Sequence, residues 1–215
     1  MSIKVKICGL TTEDAVSSAV SSGADYIGFV FFAKSPRNVT AKQANDLSKK
    51  IPHNVKKVAV TVDATNEELD KIFKIFRPDY IQCHGSETPQ RLKELKTRYG
   101  LSIIKAISVR SSHDVVKGNQ YDNVADMLLF DAKAPYLTLP GGNGISFDWT
   151  LLKSRKFSID WFLSGGLNIQ NINNAISISG APQVDVSSSI EIEPGIKDPE
   201  LIRQFLIKVK DNEQL

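Results

Sequence analysis

Short apolar, β-branched runs alternate along the whole chain with longer amphipathic, charged stretches. The runs predict strands over Ile3–Cys8, Tyr26–Phe31, Lys57–Val62, Tyr80–Cys83, Ile103–Ser108, Met127–Asp131, Trp161–Ser164 and Val184–Ser187. The stretches between them predict helices over Thr12–Ser22, Ala41–Lys50, Asn66–Phe76, Pro89–Tyr99, Asp114–Asp122, Trp149–Ser154, Ile169–Ile178 and Pro199–Val209. In the third, Leu69, Ile72, Phe73 and Phe76 share one face at the helical period. Thr65 or Asn66 can start that helix, and Arg77-Pro78 ends it. The fourth opens on Thr88-Pro89 and stops at Gly100.

Eight β-then-α units with no element left over predict a closed (β/α)8 TIM barrel, one α/β domain over residues 1–215. A doubly wound open sheet is the alternative. The chain has 215 residues, short for a barrel that usually takes about 250. Helices and loops must therefore be brief, and the fifth and sixth helices have the weakest pattern.

Charge and cysteine usage narrow the function classes. The formal net charge is +3, with acidic residues interspersed among basic ones. That lacks the concentrated basic face of a nucleic-acid binder and suits a small anionic substrate. Cys8 and Cys83 show neither metal-ligand spacing nor a disulfide framework. With no apolar leader and no long apolar span, the expected setting is cytoplasmic, without membrane or nucleic-acid partners.

In a barrel the active site lies at the carboxyl ends of the strands. The mouth positions are then Cys8, Phe31 to Arg37, Asp63, His84, Ser108, Asp131, Gly165-Gly166 and Ser187 to Ser189. Cys8 ends the first strand, just before Gly9-Leu10-Thr11. By position alone it reads equally as a reactive thiol or as a small buried apolar residue. Asp131 ends the sixth strand, and a glycine cluster, Gly141-Gly142-Asn143-Gly144, follows it. Two reactive groups at two strand ends suggest an acid–base pair. Lys6 lies two residues before Cys8 on the same strand face, either to lower the thiol's pKa or as a structural residue.

Gly165-Gly166 and Ser187-Ser188-Ser189 follow strands seven and eight, where this fold commonly holds phosphate on backbone N–H groups. Arg37, in the loop after strand two, can clamp a carboxylate or lie solvated. Gln82 and His84 share a face of strand four and can touch substrate or form a satisfied polar pair. Asp148 caps the sixth helix. No constellation has the spacing of a zinc or magnesium site.

Taken in order, several segments resemble phosphoribosylanthranilate isomerases of tryptophan biosynthesis. They are Lys6-Ile7-Cys8-Gly9-Leu10-Thr11, Ser35-Pro36-Arg37, Gln82-Cys83-His84-Gly85, Leu129-Phe130-Asp131 with Gly141-Gly142-Asn143-Gly144 and Phe147-Asp148-Trp149, Leu163 to Leu167, and Val184 to Ser188 with Glu191 and Pro194 to Asp198. The resemblance implies the barrel, no cofactor and an Amadori rearrangement of N-(5′-phosphoribosyl)anthranilate to 1-(2-carboxyphenylamino)-1-deoxy-D-ribulose 5-phosphate. It implies Cys8 as general base and Asp131 as general acid. It makes Arg37, Gln82, His84 and Asp185 the expected substrate contacts. The expected phosphate contacts are Gly142, Gly165, Gly166, Ser187, Ser188 and Ser189. The partner implied is a small phosphorylated molecule, and the chain is expected as monomer or homodimer.

Two residues depart from the family's pattern. Ser189 stands where a glycine is usual, and Cys83 where an aliphatic residue is commoner. Ser189 is expected at negative φ with its hydroxyl as an added donor to the anion; Cys83 is expected to be a packing change. The competing readings are a related phosphosugar barrel isomerase, which would resemble an aspartate pair at strands one and five, and a barrel that binds phosphate without turnover. Cys8 at strand one argues against the first, and the joint presence of Cys8, Asp131 and Arg37 against the second.

Overall fold

The computed structural model describes residues 2–133, 141, 142, 144–153 and 155–211. Two positions named above, Asn143 and Ser154, lie outside these residues. Eight strands run parallel and close on themselves in sequence order. They are β1 (Lys4–Cys8), β2 (Tyr26–Phe31), β3 (Lys56–Thr61), β4 (Tyr80–Cys83), β5 (Ser102–Val109), β6 (Met127–Ala132), β7 (Asp160–Leu163) and β8 (Gln183–Val186). Closure is made by β1 against β8, with Lys4 opposite Gln183 and Lys6 opposite Asp185. The open doubly wound alternative is therefore excluded.

The helices are α1 (Glu13–Ser21), α2 (Ala41–Ser48), α3 (Asn66–Phe73), α4 (Pro89–Tyr99), α5 (Ser112–Val116), α6 (Ile172–Ser179) and α7 (Pro199–Asp211). Local chemistry sets their ends. Thr40 with Gln43 and Thr65 with Glu68 form capping boxes, which satisfy backbone N–H groups at the first turns of α2 and α3. Thr88 caps α4 with Pro89 in its first turn, and Gly100 closes it at φ +63. Phe76 falls beyond α3 but is still fully buried.

The fifth and sixth units depart from the expected helices. After β5, α5 gives way to a 3-10 segment, Lys117–Tyr121. Among the described residues the sixth unit has no α-helix: Trp149–Leu152 forms one 3-10 turn, capped by Asp148 accepting from the Thr150 backbone N–H at 3.0 Å. So short a stretch gains too few hydrogen bonds to offset α-helix nucleation. The segment after β8 also differs, since a 3-10 turn (Ser188–Ile190) and a two-stranded hairpin, β9 (Glu191–Glu193) and β10 (Ile196–Lys197), come before α7. Gly195 turns that hairpin at φ +92.

Period-two alternation separates two apolar layers. Inside the barrel, Tyr26, Val58, Val60, Ile104, Leu129 and Phe162 pack together. The Tyr26 ring meets Phe162 edge-on at a centroid distance of 5.1 Å. The other face of each strand joins the helices in a larger layer that includes Ile7, Phe29, Ile81, Cys83, Leu128 and Phe205. Cys83 thus faces outward into packed core, where burial pushes its thiol up to about 12. It acts as a packing residue, as expected.

Candidate active site

The alternation that fills the barrel also aims Lys6 and Cys8 of β1, Gln82 of β4 and His84 just after it, Asp131 of β6, Ser164 after β7 and Asp185 of β8 to the inside. At the carboxyl ends of the strands lies a cleft of about 590 Å³ whose walls include Cys8, Arg37, Gln82, His84, Asp131 and Asp185. A smaller recess of about 380 Å³ adjoins it, lined by Gly142, Gly165, Gly166, Ser187 and Ser188, with Asp131 and Asp185 on the shared wall. Ser189 lies on the outer side of that recess, beside Gly166 and Glu191. Ser108, a predicted mouth position, is exposed and lines neither space.

Cys8 is almost wholly buried. Burial pushes its thiol up, and the Lys6 ammonium opposes that shift. Lys6 is fully buried, and its Nζ donates to Asp185 Oδ1 at 2.8 Å. Burial works against the lysine's charge, but Asp185 and Cys8 outweigh it and hold the pKa above the ordinary range. The other carboxylate oxygen, Asp185 Oδ2, accepts from Ser164 Oγ at 3.1 Å. Asp185 is therefore anchored on both oxygens, and its first partner is Lys6.

Across the cleft, Asp131 Oδ1 accepts from the Ala132 backbone N–H at 2.9 Å, and Oδ2 lies 3.2 Å from His84 Nε2. The other ring nitrogen of His84, Nδ1, lies 2.8 Å from Gln82 Nε2. A largely enclosed chain thus runs from Gln82 through His84 to Asp131, so His84 is in contact with the Asp131 carboxyl. Gly141 covers that contact: a Cβ there would lie 2.9 Å from His84 Nε2.

Arg37 is buried, and its fork is already engaged. Nε and Nη2 donate to the two oxygens of Glu191, each at 2.7 Å, and Nη2 reaches the Gly142 carbonyl at 3.4 Å. The bidentate carboxylate that its residue type suggests is thus supplied by the chain itself. A Cβ on Gly142 would come within 2.4 Å of Nη1, so only glycine lets the backbone lie across the guanidinium there. Glu191 also accepts from Lys197, whose ammonium reaches the Ser187 carbonyl at 3.2 Å and Oγ at 3.3 Å. Burial lowers the pKa of Lys197, and Glu191 works against that shift.

In the recess, Gly165 and Gly166 have φ +87 and +63. A Cβ on Gly166 would lie 2.7 Å from backbone atoms of Ile145 and Ser146. These glycines therefore let the loop after β7 pack against the segment after β6, besides baring backbone N–H groups. Ser187 Oγ donates to the Cys8 carbonyl at 3.1 Å, which ties the β8 turn to β1. Among the described non-glycine residues only Asp63 has positive φ, so Ser189 avoids strain as expected. Its hydroxyl differs from expectation: it donates to the Leu167 carbonyl at 2.5 Å and binds the two loops together. The proton expected for the anion is held inside the protein.

Four residues around the site carry no role in the sequence reading. Gly28 faces inward from β2, where a Cβ would meet Cys8 Sγ at 3.0 Å and Lys6 Nζ at 3.2 Å. A glycine inside an otherwise apolar strand is itself a sign of close approach. Ser164, Glu191 and Lys197 lie in segments that carry the family resemblance, but no role could be read for them, because their side-chain pairings are set by tertiary contact.

Fold and site define a closed parallel barrel with a thiol and a carboxyl facing one cleft at its strand ends. Residues 5–208 match the family described as N-(5'phosphoribosyl)anthranilate (PRA) isomerase. The chain belongs to that family. It is 51% identical over 213 residues to the N-(5'-phosphoribosyl)anthranilate isomerase of Parvibaculum lavamentivorans, covering 98% of this chain and 99% of the relative. Among solved structures, the phosphoribosyl anthranilate isomerase from Thermotoga maritima superposes with a TM-score of 0.86 at 32% identity, over 97% of this chain and 99% of that one. A phosphoribosyl anthranilate isomerase in complex with reduced 1-(o-carboxyphenylamino)-1-deoxyribulose 5-phosphate superposes at 0.84 with 31% identity, over the same shares of the two chains.

Proposed function

We propose that this chain converts N-(5′-phosphoribosyl)anthranilate to 1-(2-carboxyphenylamino)-1-deoxy-D-ribulose 5-phosphate, with Cys8 as general base and Asp131 as general acid. The observation that carries the reading is that Cys8 and Asp131, on β1 and β6, line one cleft continuous with a glycine-lined recess. That arrangement supports a substrate with its phosphate in the recess and its anthranilate ring toward Arg37. A family member holds a carboxyphenylamino-deoxyribulose phosphate of the same chemical layout.

The steps balance with protons alone. Asp131 gives a proton to the furanose ring oxygen, the bond from that oxygen to C1 breaks, and the amine lone pair forms a C1–N double bond. The iminium acidifies the C2 proton, which the Cys8 thiolate removes to give an enolamine. Reprotonation at C1 and loss of the C2 hydroxyl proton leave the ketone. His84, in contact with Asp131, orients the acid, and Arg37 attracts the anthranilate carboxylate through the guanidinium edge that Glu191 leaves uncovered. Backbone N–H groups of Gly165, Gly166 and the Ser187 to Ser189 turn hold the phosphate. Gln82, Asp185 and Gly142 complete the wall around the sugar. The enzyme is assigned to the cytoplasm, as a monomer or homodimer.

The test is an anthranilate-fluorescence assay with freshly made phosphoribosylanthranilate, because that substrate is labile. Enzyme-dependent loss of fluorescence is expected. Its absence with fresh substrate and folded protein would defeat the assignment.

A further inference from the structure

At the cleft wall and just behind it lies a buried ion pair to which the proton transfers above give no part. Lys6 and Asp185 are both buried, face inward from adjacent strands, and pair at 2.8 Å. Lys6 Nζ and Cys8 Sγ converge over the same point of β2, since one Cβ on Gly28 would touch both, at 3.2 and 3.0 Å. Glycine at that position makes room for the thiol and the ammonium together. We propose that Lys6 is a positioning residue whose charge favours the thiolate form of Cys8 against burial, and that Asp185 attenuates this effect. The proposal rests on the reading of Cys8 as the general base.

A thiol buried in apolar surroundings stays protonated and is a poor base. The inner layer next to Cys8 is largely apolar. Among the described residues, few charged groups face it. Lys6 comes from its own strand, Asp185 from β8 and Lys197 from β10, while β2 offers only Gly28. Lys197 is already engaged by Glu191 and by Ser187, and Arg37 packs its aliphatic stem over Gly9. His84 and Asp131 stand across the cleft. Lys6 is therefore the cation placed to stabilise a negative sulfur. Asp185 and the Ser164 hydroxyl behind it keep the ammonium in place. The same carboxylate also repels the thiolate, so the two halves of one ion pair have opposite effects on the base.

The opposition makes the test specific. Alkylation of Cys8 by iodoacetamide is followed across pH on the full-length protein, with the Cys8 peptide quantified by mass spectrometry. Lys6→Met is expected to raise the alkylation midpoint by about one pH unit or more, within the range for an opposite charge at close contact. Asp185→Asn is expected to lower it. The double variant Lys6→Met/Asp185→Asn, which leaves no unpaired buried charge, is expected to lie above the wild type and keeps the test open if Lys6→Met fails to fold. A merely structural pair would move both single variants the same way. Asp185→Asn at or above the wild-type midpoint, or a double variant at the wild-type midpoint, would overturn the proposal. The free thiol is read without substrate, so these results stand apart from turnover. Turnover retained in Cys8→Ala would instead remove the base assignment on which the proposal depends.

Discussion

Arg37 grips Glu191 through both arms of its guanidinium fork, Nε to Oε1 and Nη2 to Oε2, each at 2.7 Å. The two residues lie 154 positions apart in sequence. The pairing fixes the rotamer of an arginine that lines the cleft before any ligand arrives, which reduces the entropy lost on binding. Arg37→Ala is expected to raise KM at least about tenfold, the scale of a lost charge-assisted hydrogen bond. It should weaken inorganic phosphate far less. Steady-state kinetics and phosphate competition decide this, and equal losses for both ligands would move Arg37 to the phosphate end.

Glu191 also makes acid stability testable. Burial raises its pKa, but Arg37 and Lys197 more than offset that and hold the carboxyl below the ordinary glutamate range. A depressed folded-state pKa contributes stability above the unfolded value and loses it as pH falls through the folded one. The melting-temperature gap between wild type and Glu191→Gln should therefore be widest near neutrality. It should close as pH drops below about 4, the unfolded glutamate value. A gap that stays constant down to about pH 3 would show that the charge on Glu191 is not what stabilises this corner.

Cys8→Ala and Asp131→Asn are each expected to lower kcat at least about 10²-fold, the usual scale for a general acid or base. KM should change little. Asp131→Asn retains the shape of the side chain beside His84 but has no carboxyl proton to deliver. If it raised KM and left kcat intact, Asp131 would be a binding residue.

The recess predicts unequal outcomes for its two loops. Gly166→Val places a Cβ 2.7 Å from the backbone at Ile145 and Ser146, and at φ +63, so phosphate affinity should be lost. Ser189→Gly removes only the hydroxyl tie to Leu167 and should cost about 1 kcal/mol of stability, a typical single hydrogen bond. Its phosphate affinity should change modestly. Isothermal titration with inorganic phosphate and thermal melts measure both effects. A large affinity loss in Ser189→Gly would mean the hydroxyl does meet the anion.

Adding a methyl at Gly28 tests the space shared by Cys8 and Lys6. Gly28→Ala brings a carbon to 3.0 Å from Sγ and 3.2 Å from Nζ. A barrel this closely packed cannot open without shifting one of them. Turnover should fall while the far-ultraviolet spectrum stays unchanged. Full activity would show that neither atom needs its present position.

The eight-unit barrel was legible in the sequence because period-two runs and capped amphipathic helices are local signals. Thr65 and Thr88-Pro89 announce helix starts within a few residues, and the structure bears both out. The strand-end positions of Cys8 and Asp131 at one cleft were legible for the same reason, since a barrel delivers every strand's carboxyl end to one face. The sixth unit was misjudged because an apolar pattern over a few residues cannot tell a 3-10 turn from a helix. The hairpin β9–β10 was missed because two strands so short carry almost no alternation.

What only the tertiary structure decided is who partners whom. Cys8, Asp131, Arg37 and the two anion-type loops could be named from their places in the chain. That Arg37's fork holds Glu191, that Ser189 donates to Leu167 and that Lys6 lies between Asp185 and Cys8 could not. Backbone propensity acts over a few residues, whereas barrel closure brings together strands at opposite ends of the chain. A side chain's charge and its free donors depend on those distant contacts. Local sequence therefore placed Cys8 and Asp131 at strand ends, and closure of β8 onto β1 determined the charges around Cys8.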